Sequence, residues 1–147
     1  MPAAIEENKA LIRRFWDAMN SRQLDVLDQL LAPDVVRHCE ATPHLTVRNR
    51  EQVKDFLRQD TAVFPDSRQT LAHLVAEGDL VAVWSSYEGI QKGQMGPFPP
   101  SGKRARFDFG AIFRVASGKI AEWWVTWDNL AILTQLGHMP PPPKTDG

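Results

Sequence analysis

Several features that mark common functional classes are scarce or absent in this sequence. Cys39 is the one cysteine among 147 residues, so no internal disulfide can form, which is typical of a reducing compartment. The formal net charge of −1 gives no electrostatic reason to bind nucleic acid or an anionic membrane. No stretch approaches the roughly 20 apolar residues that span a bilayer, and residues 1–9 are polar and acidic, unlike a secretory signal. We therefore expect a cytoplasmic protein with neither a nucleic-acid nor a membrane partner.

Motifs for cofactor and metal chemistry are absent as well. The sequence contains no P-loop, dinucleotide-binding fingerprint, nucleophile elbow or zinc motif. His38, Cys39, Glu40 and His44 lie close together, but their spacing matches none of the standard zinc patterns. The sequence therefore predicts no metal site.

Aromatic residues, in contrast, are plentiful. Five Trp and seven Phe accompany 43% hydrophobic and 24% charged residues, which is the balance of a folded globular protein. The length suits one domain, which we place at residues 1–138. The proline run at 140–143 predicts an extended tail over residues 139–147.

Helical patterns occupy the first part of the chain and its end. Apolar residues recur at helical spacing in two early segments, and Asn49 with Gln52 forms a capping box that opens a third helix. A short closing helix is predicted just before Gly137. The apolar stripes are Ile12, Phe15, Trp16 and Met19; Leu24, Leu27, Leu30 and Leu31; Val53, Phe56 and Leu57; and Leu130, Leu133 and Leu136.

Strand patterns occupy the middle. After a brief strand at 34–38, residues 70–76, 80–87, 104–115 and 120–127 are predicted strands, and residues 91–102 form a Gly/Pro-rich loop. Helices followed by a long antiparallel meander indicate an α+β fold. We predict three or four helices packed on a curved antiparallel sheet that encloses an apolar pocket.

The turn at Ser117-Gly118 sets the register of the last hairpin. With a two-residue turn, Phe107, Phe109, Ala111 and Phe113 share a face with Trp124 and Asp128. Asp108, Arg114, Trp123 and Trp127 then lie on the other face. A loop one residue longer would reverse this assignment, because a one-residue slip exchanges the two faces.

Asp128 has two interpretations in this register. A carboxyl group among aromatic rings is disfavoured as an anion, which suits general acid/base catalysis near neutral pH. Asp128 also directly precedes the closing helix, where an N-cap belongs. Both interpretations remain open.

Further candidates surround the expected pocket. His38, at the end of the short strand, is a possible catalytic helper of Asp128, or a structural histidine. Met95 and Phe98 are the apolar members of the Gly/Pro-rich loop and could cover the hollow. The remaining candidate wall residues are Trp16, Trp84, Phe109 and Trp124.

The order of these segments resembles the SnoaL-like polyketide cyclases of the nuclear-transport-factor-2-like (NTF2-like) superfamily, over roughly residues 10–137. The most specific matches are Phe113-Arg114-Val115, Gly118-Lys119-Ile120, Glu122, Trp124, Asp128 and Gln135-Leu136-Gly137. The resemblance implies a cone of helices on a curved sheet, often a dimer or tetramer, without metal or organic cofactor. It also implies intramolecular aldol cyclisation of a polyketide, with Asp128 as acid/base.

Two functional hypotheses follow. The first is a cofactor-independent enzyme of the cyclase, isomerase or lyase type, acting on a small hydrophobic carbonyl compound by proton transfer. The second is a non-catalytic small-molecule-binding or oligomerisation module, in which Asp128 is only a cap. In that case Trp123, Val125 and Trp127 would lie on a sheet face used to form a homodimer or homotetramer.

Overall fold

A computed structural model describes residues 2–141 and residue 143, which form four α-helices and five β-strands. The helices are α1 (Pro2–Asn20), α2 (Leu27–Leu30), α3 (Arg50–Val63) and α4 (Asn129–Gln135), with a short 3-10 turn (Leu24–Val26) before α2. The strands are β1 (Leu31–His38), β2 (Arg68–Glu77), β3 (Leu80–Ile90), β4 (Arg104–Ala116) and β5 (Lys119–Thr126).

The two long helices follow their sequence patterns. In α1, Phe15 and Trp16 are buried, as the helical spacing predicted. Helix α3 begins after Asn49, whose side-chain oxygen accepts a hydrogen bond from the backbone N–H of Gln52 at 2.8 Å. The side-chain oxygen of Gln52 accepts in turn from the backbone N–H of Arg48 at 2.7 Å. This exchange satisfies backbone donors at the start of α3 and fixes its first turn.

The strands form one open sheet in the order β1-β5-β4-β3-β2. Strands β2 to β5 are the predicted antiparallel meander, whereas β1 pairs with β5 in parallel. The sheet is therefore mixed, and the prediction of a wholly antiparallel sheet is wrong at this edge. A short hairpin forces two strands to be antiparallel, but most of the chain separates β1 from β5, and so long a connection permits parallel pairing.

A β-bulge in β5 decides which side chains face the helices. The turn has the predicted geometry, with Ala116 opposite Lys119. The pairing then slips by one residue at Ala121, which is the extra residue of the bulge. Because side chains alternate along a strand, every later residue of β5 lies on the face opposite to the one predicted.

The consequences for the aromatic residues are large. Trp123 pairs with Phe113 on the inner face and is 6% exposed, whereas Trp124 lies on the outer face and is 42% exposed. Val125 and Trp127 also face inwards and pack against the core. The predicted inner position of Trp124 is thus wrong, as is the predicted outer face of Trp123, Val125 and Trp127.

Two further predictions concern the C-terminal tail and membrane-spanning helices. In the tail predicted at 139–147, residues 139–141 and 143 form neither helix nor strand, and residues 142 and 144–147 lie outside the described residues. Across the described part of the chain, no helix combines the length and the apolar composition needed to cross a membrane.

Candidate active site

A cavity of about 570 Å³ lies between the inner face of the sheet and helices α1, α3 and α4. This volume falls within the roughly 300–1,000 Å³ that is typical of small-molecule sites. Most of the wall is aromatic or aliphatic. Its aromatic members are Phe15, Trp16, Phe56, Phe64, Tyr87, Phe98, Phe107, Phe109, Phe113, Trp123 and Trp127.

One carboxylate faces this apolar space. Asp60 lies on α3 four residues after Phe56 and three after Leu57, so helical geometry places it on the stripe that borders the cavity. It is half-buried, and it belongs to the lining of the cavity. Tyr87 Oη donates to its carboxylate, at 3.0 Å from Oδ1 and 2.9 Å from Oδ2.

Tyr87 is held rigidly on the inner face of β3. The residue is buried, its ring stacks on Phe107 with centroids 5.1 Å apart, and the ring of Phe64 meets it edge-on at 5.7 Å. The phenol oxygen is therefore fixed by packing, and with it the orientation of the Asp60 carboxylate.

The surroundings of Asp60 bring its pKa close to neutral pH. Burial raises its pKa to about 6 from an ordinary value of 3.8, while the Tyr87 hydrogen bond and the charges of Arg22 and Arg37 partly oppose this rise. Burial, and then the nearby Asp60 charge, raise the pKa of Tyr87. Tyr87 thus stays protonated and acts as the hydrogen-bond donor of the pair.

The Gly/Pro-rich loop closes one side of the cavity. Met95 and Phe98 line it, and their backbones bridge each other. Gln91 is fully buried and donates from Nε2 to the carbonyl oxygens of Phe98 (3.3 Å) and Pro99 (3.1 Å). Residues 92 and 93 donate backbone N–H groups to the carbonyl oxygen of Val63, at the end of α3. The loop is thus tied to both β3 and α3.

Residues 10–136 match the family of SnoaL-like polyketide cyclases. The chain belongs to this family. Its structure is similar to that of IdmH from Streptomyces antibioticus, which has been proposed to be a polyketide cyclase, with 32% identity over 88% of this chain and 98% of that one and a TM-score of 0.80. AclR from Streptomyces galilaeus, proposed to be a hydroxylase, is 26% identical over 95% and 87% of the two chains, with a TM-score of 0.81.

A more distant structural likeness is found as well. An epoxide hydrolase from M. tuberculosis, described as LEH-like, is 18% identical over 90% of this chain and 91% of that one, with a TM-score of 0.72. This level of identity shows the shared fold alone. No protein with a curated description matches the sequence.

Four of the predicted wall residues of this SnoaL-like chain lie at the cavity: Trp16, Met95, Phe98 and Phe109. Trp16 is fixed there by a hydrogen bond from Nε1 to Ser85 Oγ at 3.0 Å. Trp84 and Trp124 lie on the outer face of the sheet, 47% and 42% exposed, so their predicted position in the wall is wrong. For Trp84 the reason is strand alternation, and for Trp124 it is the bulge in β5.

Asp128 does not point into the aromatic surface that the sequence predicted for it. It is exposed and caps α4, accepting a hydrogen bond at Oδ1 from the backbone N–H of Ala131 at 3.1 Å. Its chain neighbours Trp127 and Asn129 line the cavity, whereas Asp128 faces the other way. The bulge in β5 explains this reversal as well. The position of Asp128 fits the capping interpretation.

His38 likewise lies outside the cavity. Its ring stacks on Trp124 on the outer face, with centroids 5.4 Å apart, and its Nε2 lies 2.7 Å from Glu122 Oε2. Glu122 also accepts a hydrogen bond from Arg114 Nε at 3.1 Å. The hydrogen bond with His38 is the main cause that holds the pKa of Glu122 below its ordinary value. His38 therefore belongs to a hydrogen-bond network on the outer face of the sheet.

The sequence analysis did not single out three polar residues that line the cavity, which are Asp60, Tyr87 and Arg37. Each continues an inward pattern: Asp60 extends the stripe of α3, and Arg37 and Tyr87 alternate with outward residues of β1 and β3. Among the described residues, no cluster of three or more His, Cys, Asp or Glu side chains is arranged to hold a metal ion.

Proposed function

We propose that this protein is a cofactor-independent enzyme that transfers protons on a hydrophobic carbonyl compound, in the manner of a polyketide cyclase, with Asp60 as its acid/base. The observation that carries this proposal is a single carboxylate with a pKa of about 6 in a large apolar cavity. A base poised near the working pH is efficient, because it is ionised yet still accepts a proton readily.

The proposed reaction uses one carboxylate, which first removes a proton from the substrate and later returns it. The ionised Asp60 removes a proton from the carbon next to a carbonyl group, and the substrate becomes an enolate. The enolate carbon attacks a second carbonyl carbon of the same molecule, so a carbon–carbon bond forms and the second carbonyl oxygen becomes an alkoxide. Asp60 returns its proton to that alkoxide, and the enzyme is regenerated without net change.

Tyr87 serves as a positioning residue in this scheme. Its hydroxyl bridges both oxygens of Asp60 and keeps them in one orientation while the carboxyl group gains and loses a proton. The aromatic walls would hold the folded substrate chain and exclude water from the enolate. Membership of the cyclase family favours aldol chemistry over the other activities named for relatives of this fold.

Hydrogen–deuterium exchange tests the proton-transfer step without the natural substrate. The wild-type protein is incubated in deuterated water with 1-tetralone, 1-indanone and anthrone, and loss of the α-proton signal is followed by NMR. We expect exchange faster than in buffer for at least one of these ketones. Asp60→Asn should lower the enzymatic rate by about 100-fold or more, since general acid/base catalysis contributes roughly 10²–10⁴-fold.

Asp128→Asn is the matched control, because asparagine preserves the N-cap. We expect it to exchange at the wild-type rate. An Asp60→Asn protein as active as the wild type would refute the role of Asp60, and selective loss in Asp128→Asn would restore the prediction from the sequence. Ligand binding with no acceleration for any ketone would favour the non-catalytic binding module.

A further inference from the structure

Arg37 brings an almost wholly buried cation to the wall of the cavity. Strand β1 places it opposite Trp123 of β5, on the inner face of the sheet. Its exposed fraction is 8%, and it borders the same space as Asp60. Buried charges in proteins are as a rule paired with an opposite charge or tied into hydrogen bonds, so the partners of this guanidinium need an explanation.

The surroundings of the guanidinium are mostly aromatic. Its central carbon lies 4.1 Å from the ring centroid of Phe56 and 5.6 Å from that of Trp127. Nη1 donates to Thr42 Oγ1 at 3.3 Å, and the thiol of Cys39 is a further neighbour. None of the ion pairs found among the described residues involves Arg37.

This arrangement fixes the plane of the guanidinium while leaving donors for a ligand. Cation–π contacts offset part of the desolvation of the charge and hold the group in place. Burial lowers the pKa of Arg37, but an arginine keeps its proton throughout the physiological range. A planar group with five N–H donors matches the two oxygens of a carboxylate, which it binds through two parallel hydrogen bonds.

We propose that Arg37 binds a carboxylate carried by the ligand, so that the cavity accepts an aromatic or polycyclic acid in preference to its neutral counterparts. This inference rests on the proposed function in one respect, because it names the class of substrate that the same cavity would bind. It does not require Asp60 to act as a base.

The positions of Arg37 and Asp60 agree with a ligand whose carboxylate binds to Arg37. Asp60 and Arg37 border one cavity and do not form an ion pair with each other, although the charge of Arg37 helps to lower the pKa of Asp60. A carboxylate held at Arg37 would leave the apolar body of the ligand along the aromatic walls. The reacting carbon could then lie towards Asp60, away from the ligand's own negative charge.

Calorimetric titration with 2-naphthoate and 2-naphthamide tests the inference. The two probes have nearly the same shape and differ in the charge of the planar group. We expect the wild-type protein to bind 2-naphthoate at least tenfold more tightly, because a charge-assisted hydrogen bond contributes roughly that factor or more. The preference is expected to persist in Asp60→Asn and to be at least as large, because that variant removes a negative charge from the cavity, and this separates the inference from the proposed proton transfer.

Substitutions of Arg37 complete the test. Arg37→Met should abolish the preference for naphthoate, while Arg37→Lys keeps the charge without the planar fork and should retain a reduced preference in a folded protein. Arg58→Met, which removes an exposed arginine of α3, controls for net charge and should bind as the wild type does. Equal affinity for the two probes, no binding of either, or a preference that survives in both Arg37 variants would overturn the proposal.

Discussion

Replacing Asp60 with asparagine should stabilise the folded protein at neutral pH. The pKa of Asp60 in the folded protein, about 6, lies above its ordinary value of 3.8, so the folded state binds this proton more tightly than the unfolded chain does. The resulting stabilisation is fully present below pH 3.8 and is lost as the pH rises through 6. Asparagine never ionises and escapes this loss.

The size of the effect follows from the pKa difference. A difference of about two units corresponds to about 3 kcal/mol, since one unit is worth about 1.4 kcal/mol. Part of the loss has already occurred at mildly acidic pH. The advantage of Asp60→Asn over the wild type in unfolding free energy should therefore grow by about 2 kcal/mol between roughly pH 4.5 and pH 8.

Urea denaturation followed by tryptophan fluorescence measures this difference. Both proteins are unfolded at several pH values across the range, and the change in their free-energy difference is compared with the expected one. Asp55→Asn removes an exposed carboxylate of the same helix and controls for the loss of one negative charge. A difference between Asp60→Asn and the wild type that stays constant with pH would refute the reasoning.

Further predictions concern neighbouring residues. Tyr87→Phe removes the hydrogen bond that lowers the pKa of Asp60, so the acidic limb of the pH–rate profile should move upward by about one to two units. Asp128→Ala should lose about 1 kcal/mol of stability in urea denaturation, with ketone exchange unchanged. Trp123→Ala should lose about 3–5 kcal/mol because it empties a core position, whereas Trp124→Ala should lose under about 1 kcal/mol. The sequence analysis expected a homodimer or homotetramer formed through the sheet, and Trp124 is exposed on the outer face of that sheet. We propose that this face forms the interface, so Trp124→Glu should give a monomer in sedimentation velocity, and an unchanged sedimentation coefficient would contradict this.

The fold was largely accessible from the sequence because each helix and strand carries its own periodic pattern. The stripe of α1, the capping of α3 and the turn at Ser117-Gly118 are local signals, and local signals fix local structure. The parallel pairing of β1 with β5 has no such signal, because it depends on the packing of segments distant in sequence.

The register of β5 failed for a different reason. The hairpin was assumed to be regular, and a bulge cannot be derived from turn geometry. A signal was nevertheless present, since Ile120 is even-numbered whereas the apolar residues Trp123, Val125 and Trp127 are odd-numbered. Both sets can face inwards only if one extra residue lies between them, and Ala121 is that residue.

The candidate site was predicted only in its apolar part. Trp16 and Phe109 could be placed by periodicity, because burial of an apolar side chain is the default expectation. Asp60 and Arg37 occupy equivalent inward positions, but charged residues are expected at the surface. Their contacts with Tyr87 and with the ring of Phe56 explain why these two remain inside.

Titration of the Asp60 carboxyl group by ¹³C NMR tests the central claim most directly. The resonance is assigned by its absence in Asp60→Asn, and its shift is followed over the pH range in the folded protein. We expect a midpoint near pH 6, well above that of exposed aspartates. A midpoint near pH 4 would show that Asp60 is an ordinary solvated carboxylate and would contradict its proposed role as the acid/base of the cavity.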